Sequence, residues 1–452
     1  MGTGRRTAWA EAELGGAELG DPRRTRRAVE IAGARQRRPE AGLPESLGNA
    51  SEVKAGYRFY ESEEIEASKI MESHSQKAVE RAKAGGEEYI LAIQDTMHVE
   101  TGGQDTWVHS TLLASPKRVP YGLIGQKVWE RAANVGNKKK TRKKKATREK
   151  ESHKWVTGIQ ISAVAQAQLN EGQHVVCVAD RESDVFDAFA QAQKEALKML
   201  IRATQDRCIA EDETRKLWDY VTEQPPSGSM RVQIQRNSDR AAREAVCTLR
   251  YVKVTLQPPK NRAKSEQLIP IEVVALHVIE ESQPEDGSAP IEWLLLTTLD
   301  IPSLERAIEV VGWYAVRWLI EMFHKTLKSG CHIEKRQFES FDNFCRYLAL
   351  DSIVAWRLLY MTLLARATPH TPCTVVLEDL EWQALYMITH HRPIPLGFLP
   401  SIAQAVLWIA QLGGYLNRKN DGPPGTIVLW RGFSRLQDSA NALNTFRLVG
   451  NG

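Results

Sequence analysis

Apolar residues between positions 87 and 203 fall into short runs that alternate with amphipathic segments. Five runs have the length and composition of buried strands, at 87–94, 106–114, 121–129, 174–179 and 199–203. Two segments, at about 156–169 and 184–198, instead repeat apolar residues at helical spacing. The pattern predicts three strands, a helix, a strand, a helix and a strand, which is the element order of a ribonuclease-H-like α/β core.

The pattern changes twice more along the chain. Residues 205–300 contain four further strand-like runs, at 230–235, 245–256, 268–279 and 291–297, with Pro- and Gly-containing turns between them. These runs predict a β-rich insertion ahead of the last core helix. The first 70 residues, and the chain after about 340, have a mostly helical pattern.

A chain of 452 residues is too long for one simple core, so several domains are expected from length alone. We expect a helical N-terminal domain at 1–70, the first part of the ribonuclease-H-like core at 71–204, the β-rich insertion at 205–300, a core helix at 301–345 and a helical C-terminal domain at 346–452.

Composition narrows the class of protein. The apolar share of 42% and the charged share of 26% are typical of a soluble globular protein. The six cysteines are scattered without a C-x-x-C pair, which favours reduced thiols in a cytosolic protein over a structural zinc site. We expect neither a secretory leader nor a membrane span, because the longest apolar stretch, 348–364, is interrupted by Asp351 and Arg357 and predicts a buried helix.

Positive charge is concentrated in two places although the net charge is only +4. One is the N-terminal segment, where Asp21 and Pro22 in LGDPRRTRR (19–27) indicate a helix start. The arginines that follow, Arg23, Arg24, Arg26 and Arg27, favour contact with phosphates over a merely solvated helix face. The other is the run KKKTRKKKATREK at 138–150, for which an additional DNA clamp and a solvated loop remain open alternatives.

Three acidic residues lie where a phosphoryl-transfer site would need them. Asp95 and Asp180 each follow an apolar strand run. The third belongs to a Y-x2-R-x3-E-x6-K pattern whose spacing places four side chains on one helical stripe: Tyr314, Arg317, Glu321 and Lys328. Simpler interpretations remain open, because an aspartate after a strand is often a cap, and Arg317 with Glu321 can form a surface ion pair.

Carboxylates are preferred ligands of Mg²⁺ and Mn²⁺. Two such ions about 4 Å apart can activate an attacking oxygen and stabilise a leaving oxygen during displacement at phosphorus. We therefore expect Asp95, Asp180 and Glu321 to be catalytic and to hold two Mg²⁺ ions, for which Mn²⁺ can substitute.

The chain resembles, over nearly its whole length, the DDE transposases of the Tn-five type in the IS-four group of bacterial insertion sequences. The Y-R-E-K pattern is the most specific element, and Asp95-Thr96 and DRESD at 180–184 are similar to the segments that carry the two catalytic aspartates. Four further motifs also resemble the family: LGDPRRT (19–25) and AGYRF (55–59) of the DNA-binding domain, EWLLLT (292–297) closing the insertion, and LGGY (412–415) of the C-terminal helical region.

The resemblance implies cut-and-paste transposition through a 3′-hydroxyl and a hairpin intermediate, followed by joining to target DNA. It implies that 1–70 binds DNA and that 346–452 dimerises. The partners implied are double-stranded DNA of transposon ends and target, and a second copy of the chain in the end-bound synaptic complex. A nucleoid-associated location in the bacterial cytoplasm, without a membrane partner, follows from the same resemblance.

The resemblance also implies DNA-contacting residues. Trp293 and Trp318 would receive a base flipped out of the hairpin, although an ordinary buried aromatic remains the alternative for each. Phosphate contacts near the cleavage site would come from Tyr314, Arg317, Lys328 and Arg202, and contacts to the transposon end from Arg23, Arg24, Arg26, Arg27, Tyr57 and Arg58. His98 departs from the small polar residue expected near Asp95, and we do not expect it to be a ligand.

Two other classes of protein compete with an active transposase. A catalytically silent DNA-binding derivative would have lost a carboxylate of the triad, whereas all three are present. Another ribonuclease-H-like nuclease, such as a junction resolvase, has no need of a β-rich insertion with a base-stacking tryptophan or of a long helical C-terminal region.

Overall fold

The computed structural model describes residues 7–101, 104–130, 152–212, 214–234, 242–260, 268–419 and 421–450. The lysine-rich run 138–150 lies outside these ranges. In the described part of the chain, the helices before the first strand are α1 (Ala8–Leu14), α2 (Pro22–Arg37), α3 (Leu43–Leu47), α4 (Ala50–Glu61) and α5 (Ala67–Gly85). The predicted start of α2 is confirmed, since the Asp21 side chain accepts a hydrogen bond from the Arg23 backbone amide at 2.8 Å.

Nine strands in the described residues form one sheet. They are β1 (Tyr89–Thr101), β2 (Gln104–Ala114), β3 (Pro120–Glu130), β4 (His174–Ala179), β5 (Lys198–Arg202), β6 (Gly228–Ile234), β7 (Arg243–Leu256), β8 (Ile271–Glu280) and β9 (Glu292–Thr297). Their order across the sheet is β3-β2-β1-β4-β5-β9-β8-β7-β6. Strands β1, β2 and β3 pair antiparallel, whereas β1, β4 and β5 pair parallel.

The four strands predicted as an insertion extend this same sheet. Strand β9 pairs antiparallel with β5, with Leu200 opposite Thr297 and Arg202 opposite Leu295. Strands β8, β7 and β6 then follow as an antiparallel meander. The strand runs were therefore located correctly from the sequence, but their attachment edge to edge with the core strands was not foreseen.

Asp95 does not terminate its strand. The apolar run was expected to end there, but β1 continues to Thr101, and Asp95 lies opposite Ser110 of β2. The prediction was wrong because β2 supplies an antiparallel partner along the whole length of β1, and this pairing satisfies backbone groups well beyond the apolar run.

Helices cover both faces of the sheet. On one face lie α6 (His153–Gln166), α7 (Phe186–Lys194) and α8 (Leu217–Thr222), packed on residues such as Cys177 and Ile201. On the other face lie α9 (Leu304–Val316) and α10 (Trp318–Lys325), packed on residues such as Ile93 and Val178. Because strand side chains alternate between faces, the sequence of each strand decides which helices it meets.

The remaining helices form a large cluster on the second face. They are α11 (Phe341–Ala367), α12 (Asp379–His390), α13 (Ile402–Leu412) and α14 (Thr426–Gly450). Of the described helices only α11 is long and apolar enough to cross a membrane, and 89% of its apolar window is buried inside the protein. The prediction of a buried helix at 348–364 is confirmed.

A buried ion pair joins the N-terminal helices to α11. Arg35 of α2 and Asp351 of α11 are both 0% exposed. Two parallel hydrogen bonds of 2.9 Å run from the Arg35 guanidinium to the Asp351 carboxylate, and the same guanidinium donates to the carbonyl oxygen of Pro39. A bidentate pair of this kind fixes both the distance and the orientation of the two helices.

We expect that breaking this pair from one side destabilises the protein strongly. Asp351→Asn leaves a buried guanidinium without its counter-charge, which costs about 3–5 kcal/mol. The midpoint of urea unfolding should fall accordingly, whereas Arg35→Met combined with Asp351→Leu should recover most of the loss. Glu80→Gln, which breaks an exposed pair with Lys77, should change stability by less than about 1 kcal/mol. Equal effects of the buried and the exposed substitution would contradict this account.

Candidate active site

Asp95 and Asp180 reach the same face of the sheet by strand alternation. Along β1, Leu91 and Ile93 point into the core beneath α9 and α10, and Asp95 continues that series. Along β4, Val176 and Val178 do the same, and Asp180 follows directly after the strand. Gln94 lies opposite Ala179 in the parallel register, so the two aspartates come one residue later on neighbouring strands.

Glu321 comes to this position from the helical layer. The region predicted as one helix is divided at Arg317, after which α10 carries Glu321 and packs against β1. A π-helical turn, Thr326–Gly330, follows α10 and contains Lys328. Turns of this type are frequent at functional sites because they shift side chains relative to the regular helix.

Arg317 links the carboxylates. Its guanidinium donates to Glu321 at 2.5 Å and lies 3.7 Å from an Asp95 carboxylate oxygen. The Arg317 side chain is 17% exposed, so these charges interact with little screening by solvent. The ion pair between Arg317 and Glu321 that the spacing allowed is therefore present. It lies next to Asp95 and not on an ordinary surface helix.

The ionised forms of Asp95 and Asp180 are disfavoured in this site. Burial raises the pKa of Asp95 to about 7, and the neighbouring Asp180 and Glu321 add to this rise while Arg317 opposes it. Burial also raises the pKa of Asp180, against hydrogen bonding from the Glu182 backbone amide and the charge of Arg317. Buried carboxylates that share a site disfavour one another's ionisation, which is the situation that a bound cation relieves.

The carboxylate oxygens of this site are the type of donor that a divalent cation prefers, although their present arrangement does not gather them around one ion. Among the described residues, no three His, Cys, Asp or Glu side chains converge tightly enough to hold one metal ion. Arg317 holds Glu321 in the present arrangement. Carboxylate oxygens from three residues suit Mg²⁺ or Mn²⁺, provided that Glu321 exchanges Arg317 for the metal.

Tyr314, Trp293 and Arg202 form a second group beside the carboxylates. Tyr314 and Trp293 meet edge to face with ring centroids 5.3 Å apart, and Trp293 is only 9% exposed. Arg202, at the end of β5, donates to the Glu292 carbonyl oxygen at 3.0 Å, directly before Trp293. The structure thus brings together three residues predicted to contact DNA, with Trp293 more enclosed than an open stacking platform.

Trp318 and Lys328 are the other two residues near Glu321 that were predicted to contact DNA. Trp318 and Glu321 line one cavity of about 1070 Å³ between α10 and α14. Lys328 is ion-paired with Glu334 at 2.8 Å. Contact between Lys328 and a DNA phosphate therefore requires that this exposed pair open.

The N-terminal arginines are mostly paired with carboxylates, which the sequence interpretation did not anticipate. Their partners are Asp21 for Arg23, Glu64 for Arg24, and Glu30 and Glu52 for Arg27. Asp21 and Glu30 are local partners on the same helix and its cap, whereas Glu52 and Glu64 are brought close by folding. Arg26 is exposed, as are Tyr57 and Arg58 on α4, so a surface for DNA remains on this segment.

Two neighbours of the site were missed from the sequence. Lys154, in the first turn of α6, is 9% exposed and pairs with Glu182 at 3.1 Å, and its charge opposes the rise in the pKa of Asp180. A cation in the first turn opposes the helix dipole, and that unfavourable placement was the available signal. His109 of β2 contacts the Thr96 hydroxyl at 2.9 Å, behind Asp95, and nothing in the sequence indicated this pairing.

Two other acidic or imidazole groups near the motifs have structural partners. Asp184, the last residue of DRESD, is buried and accepts hydrogen bonds from the backbone amides of Thr204 and Gln205. His98 contacts Asp105 at 2.8 Å on the face of β1 opposite to Asp95.

Comparison with known protein families assigns both ends of the chain. Residues 6–65 match the family described as transposase DNA-binding, and residues 353–447 match the transposase Tn5 dimerisation domain. The first match covers α1 to α4, and the second covers the C-terminal helices from within α11. DNA binding and self-association are thereby assigned to the two helical ends, while Asp95, Asp180 and Glu321 lie between the two matches. Both matches are to transposase families and stand in the order expected from the sequence motifs, and together they support a transposase of the Tn5 type.

Proposed function

We propose that the protein is a cut-and-paste DNA transposase whose catalytic residues are Asp95, Asp180 and Glu321. The observation that carries the proposal is the gathering of these three carboxylates around Arg317 on one face of the sheet. Asp95 and Asp180 are 85 residues apart in the chain, and Asp180 and Glu321 are 141 apart, so a local role such as helix capping does not account for their meeting.

We further propose that β1 to β5 with their helices are a ribonuclease-H-like core. The order β3-β2-β1-β4-β5, with β2 antiparallel to its neighbours and β4 and β5 parallel to β1, supports this assignment. In this core the first aspartate stands on the central strand and the second after its parallel neighbour. The strands β6 to β9 would then be the insertion, joined to the core through β5.

The three carboxylates would hold two Mg²⁺ ions, or Mn²⁺ in their place, which would supply an activated attacking oxygen and charge stabilisation for the leaving oxygen. Arg317 would leave Glu321 and bind a DNA phosphate, for which its planar guanidinium is suited. Tyr314 and Lys328 would hold neighbouring phosphates. The ammonium group of Lys154 would favour the charged form of Asp180 and so oppose the effect of burial.

The same set of residues can serve four successive displacements at phosphorus. Water would cut one strand at the transposon end and free a 3′-hydroxyl, which would attack the opposite strand and close a hairpin. A second water would open the hairpin, and the 3′-hydroxyl would then attack target DNA. Each step places an attacking and a leaving oxygen in line at one phosphorus, so the same three carboxylates can serve all four steps.

The assembly would be a homodimer on paired transposon ends. The dimerisation match at 353–447 and the DNA-binding match at 6–65 support both partners. A transposase of this kind works on DNA, so we propose a nucleoid-associated location in the bacterial cytoplasm.

The triad is tested by removing one charge at a time. Asp95→Asn, Asp180→Asn and Glu321→Gln should each abolish cleavage of end DNA in Mg²⁺ and leave end binding intact, because volume is kept and a ligand charge is lost. Cleavage is read on a denaturing gel and binding by gel shift. Asp300→Asn, an equal change at a 76% exposed carboxylate, should cleave normally. Normal cleavage by any one triad variant would remove that residue from the site.

The N-terminal arginines are tested through salt dependence. Arg23→Ala with Arg26→Ala should weaken end binding and reduce the slope of log affinity against log salt by about 1.8, since each phosphate contact contributes about 0.9. Lys69→Ala, on α5 and outside the DNA-binding match, should leave the slope unchanged. An unchanged slope in the arginine variant would mean that this face of α2 does not contact DNA.

Trp293 is tested by separating nicking from hairpin formation. Stacking of a flipped base is worth about 1–3 kcal/mol, so Trp293→Ala should slow hairpin closure by about 5- to 150-fold and let nicked DNA accumulate. Trp293→Phe keeps an aromatic face and should lose much less. Because Trp293 also packs on Tyr314, parallel loss of nicking and hairpin formation would instead indicate a structural role.

A further inference from the structure

The cavity beside Glu321 has a charged wall that the proposed catalytic chemistry does not use. It lies between α10 with its π turn and α14, and its volume is about 1070 Å³. Four of its lining residues are cationic: Lys325, Arg366, Arg431 and Arg435. We call this cavity the α10–α14 groove.

None of these four cations forms an ion pair with a described residue. Arg366 and Arg435 donate to backbone carbonyl oxygens, of Pro424 and Leu412 respectively. Lys325 and Arg431 are exposed, and among the described residues neither forms an ion pair or a side-chain hydrogen bond. Unpaired cations that line a concave surface create a strongly positive potential there. A polyanion binds such a surface more tightly than separate small anions do, because its binding releases counter-ions.

The acidic residues of the groove do not neutralise these cations. The Glu40 carboxylate accepts a hydrogen bond from the Trp430 indole at 2.7 Å. Glu321 is bound to Arg317. Lys325 and Arg431 are therefore available to an outside ligand, and Glu321 makes the groove continuous with the carboxylate group.

Helix α14, which carries Arg431, packs closely against the π turn that follows α10. A Cβ atom on Gly330 would lie 2.5 Å from the Trp430 ring, so the π turn and α14 approach each other too closely for any side chain at that position. Together with the bond from Trp430 to Glu40, this contact fixes the groove before a ligand arrives. A preformed cationic groove loses little entropy on binding.

We propose that the α10–α14 groove binds the sugar-phosphate backbone of DNA that extends past the scissile phosphate. Helix α14, which lies in the region matched by the dimerisation domain, would thereby contact DNA as well as support self-association. Contacts through Lys325 and Arg431 go to phosphates and carry no sequence information, so the groove would accept any duplex that leaves the active site. The inference rests on the proposed function for the identity of the ligand.

The test measures DNA binding in the presence of a metal chelator, so it does not depend on catalysis. Lys325→Ala with Arg431→Ala should weaken binding equally for an end-sequence duplex and for an unrelated duplex. The salt slope should fall by about 1.8 for two phosphate contacts. Arg447→Ala removes a cation of the same helix that is bound to Gln383 and lies about 24 Å along the axis, and it should have no such effect.

Two further measurements keep the outcome decisive. Lys325→Arg with Arg431→Lys retains both charges and should retain binding, which separates charge from folding. Sedimentation of the alanine variant without DNA should match that of the parent protein. Unchanged DNA binding, or altered self-association with unchanged DNA binding, would overturn the proposal, and the latter result would assign the groove to the contact between copies. Loss confined to the end-sequence duplex would overturn it as well, because phosphate contacts do not distinguish sequences.

Discussion

The candidate site depends on the alternation of side chains along β1 and β4. Leu91 and Ile93 are buried beneath the second helical layer, and the period of two then sends Asp95 the same way. A slip of one residue in the register would bring the carboxylate to the opposite face, beneath α6. The packing of the apolar residues on the central strands therefore fixes the positions of Asp95 and Asp180.

Charge balance is the second constraint. Three carboxylates brought together by folding repel one another, and burial removes the water that would screen them. Arg317 offsets this repulsion from the helical layer, close to both Asp95 and Glu321. The protein thus folds with its acidic residues already gathered, and the guanidinium that stabilises this arrangement is also the group best suited to receive a phosphate.

Local patterns in the sequence predicted most of the elements. The run 174–179 corresponds to β4 residue for residue, and the start of α2 at Asp21 and Pro22 is as expected, because both depend on neighbours along the chain. What failed depended on distant partners. The extension of β1 past Asp95 requires β2, and the pairing of β9 with β5 requires the folded sheet. Two of the acidic partners of the N-terminal arginines, Glu52 and Glu64, are likewise distant in the chain.

The candidate site shows the same division. The spacing around Glu321 indicated which side chains share a stripe, since a helix fixes that geometry locally. The break at Arg317 and the π turn at Thr326–Gly330 had no signal in that spacing. Their packing neighbours, β1 for α10 and Trp430 for Gly330, are distant in the chain. Lys154 and His109 become neighbours of the aspartates only when the chain folds. The sequence offered a signal for Lys154 alone, its unfavourable position in the first turn of a helix, and none for His109.

The buried pair of Arg35 and Asp351 has a consequence for how such proteins diverge. It joins α2, inside the DNA-binding match, to α11, which runs into the dimerisation match, so the two ends are not independent modules. A chimera that exchanged only the N-terminal helices with a relative lacking this arginine would bury an unpaired carboxylate. The recognition end and the assembly end are therefore constrained to be inherited together, and a change at either position is tolerated only when the other changes with it.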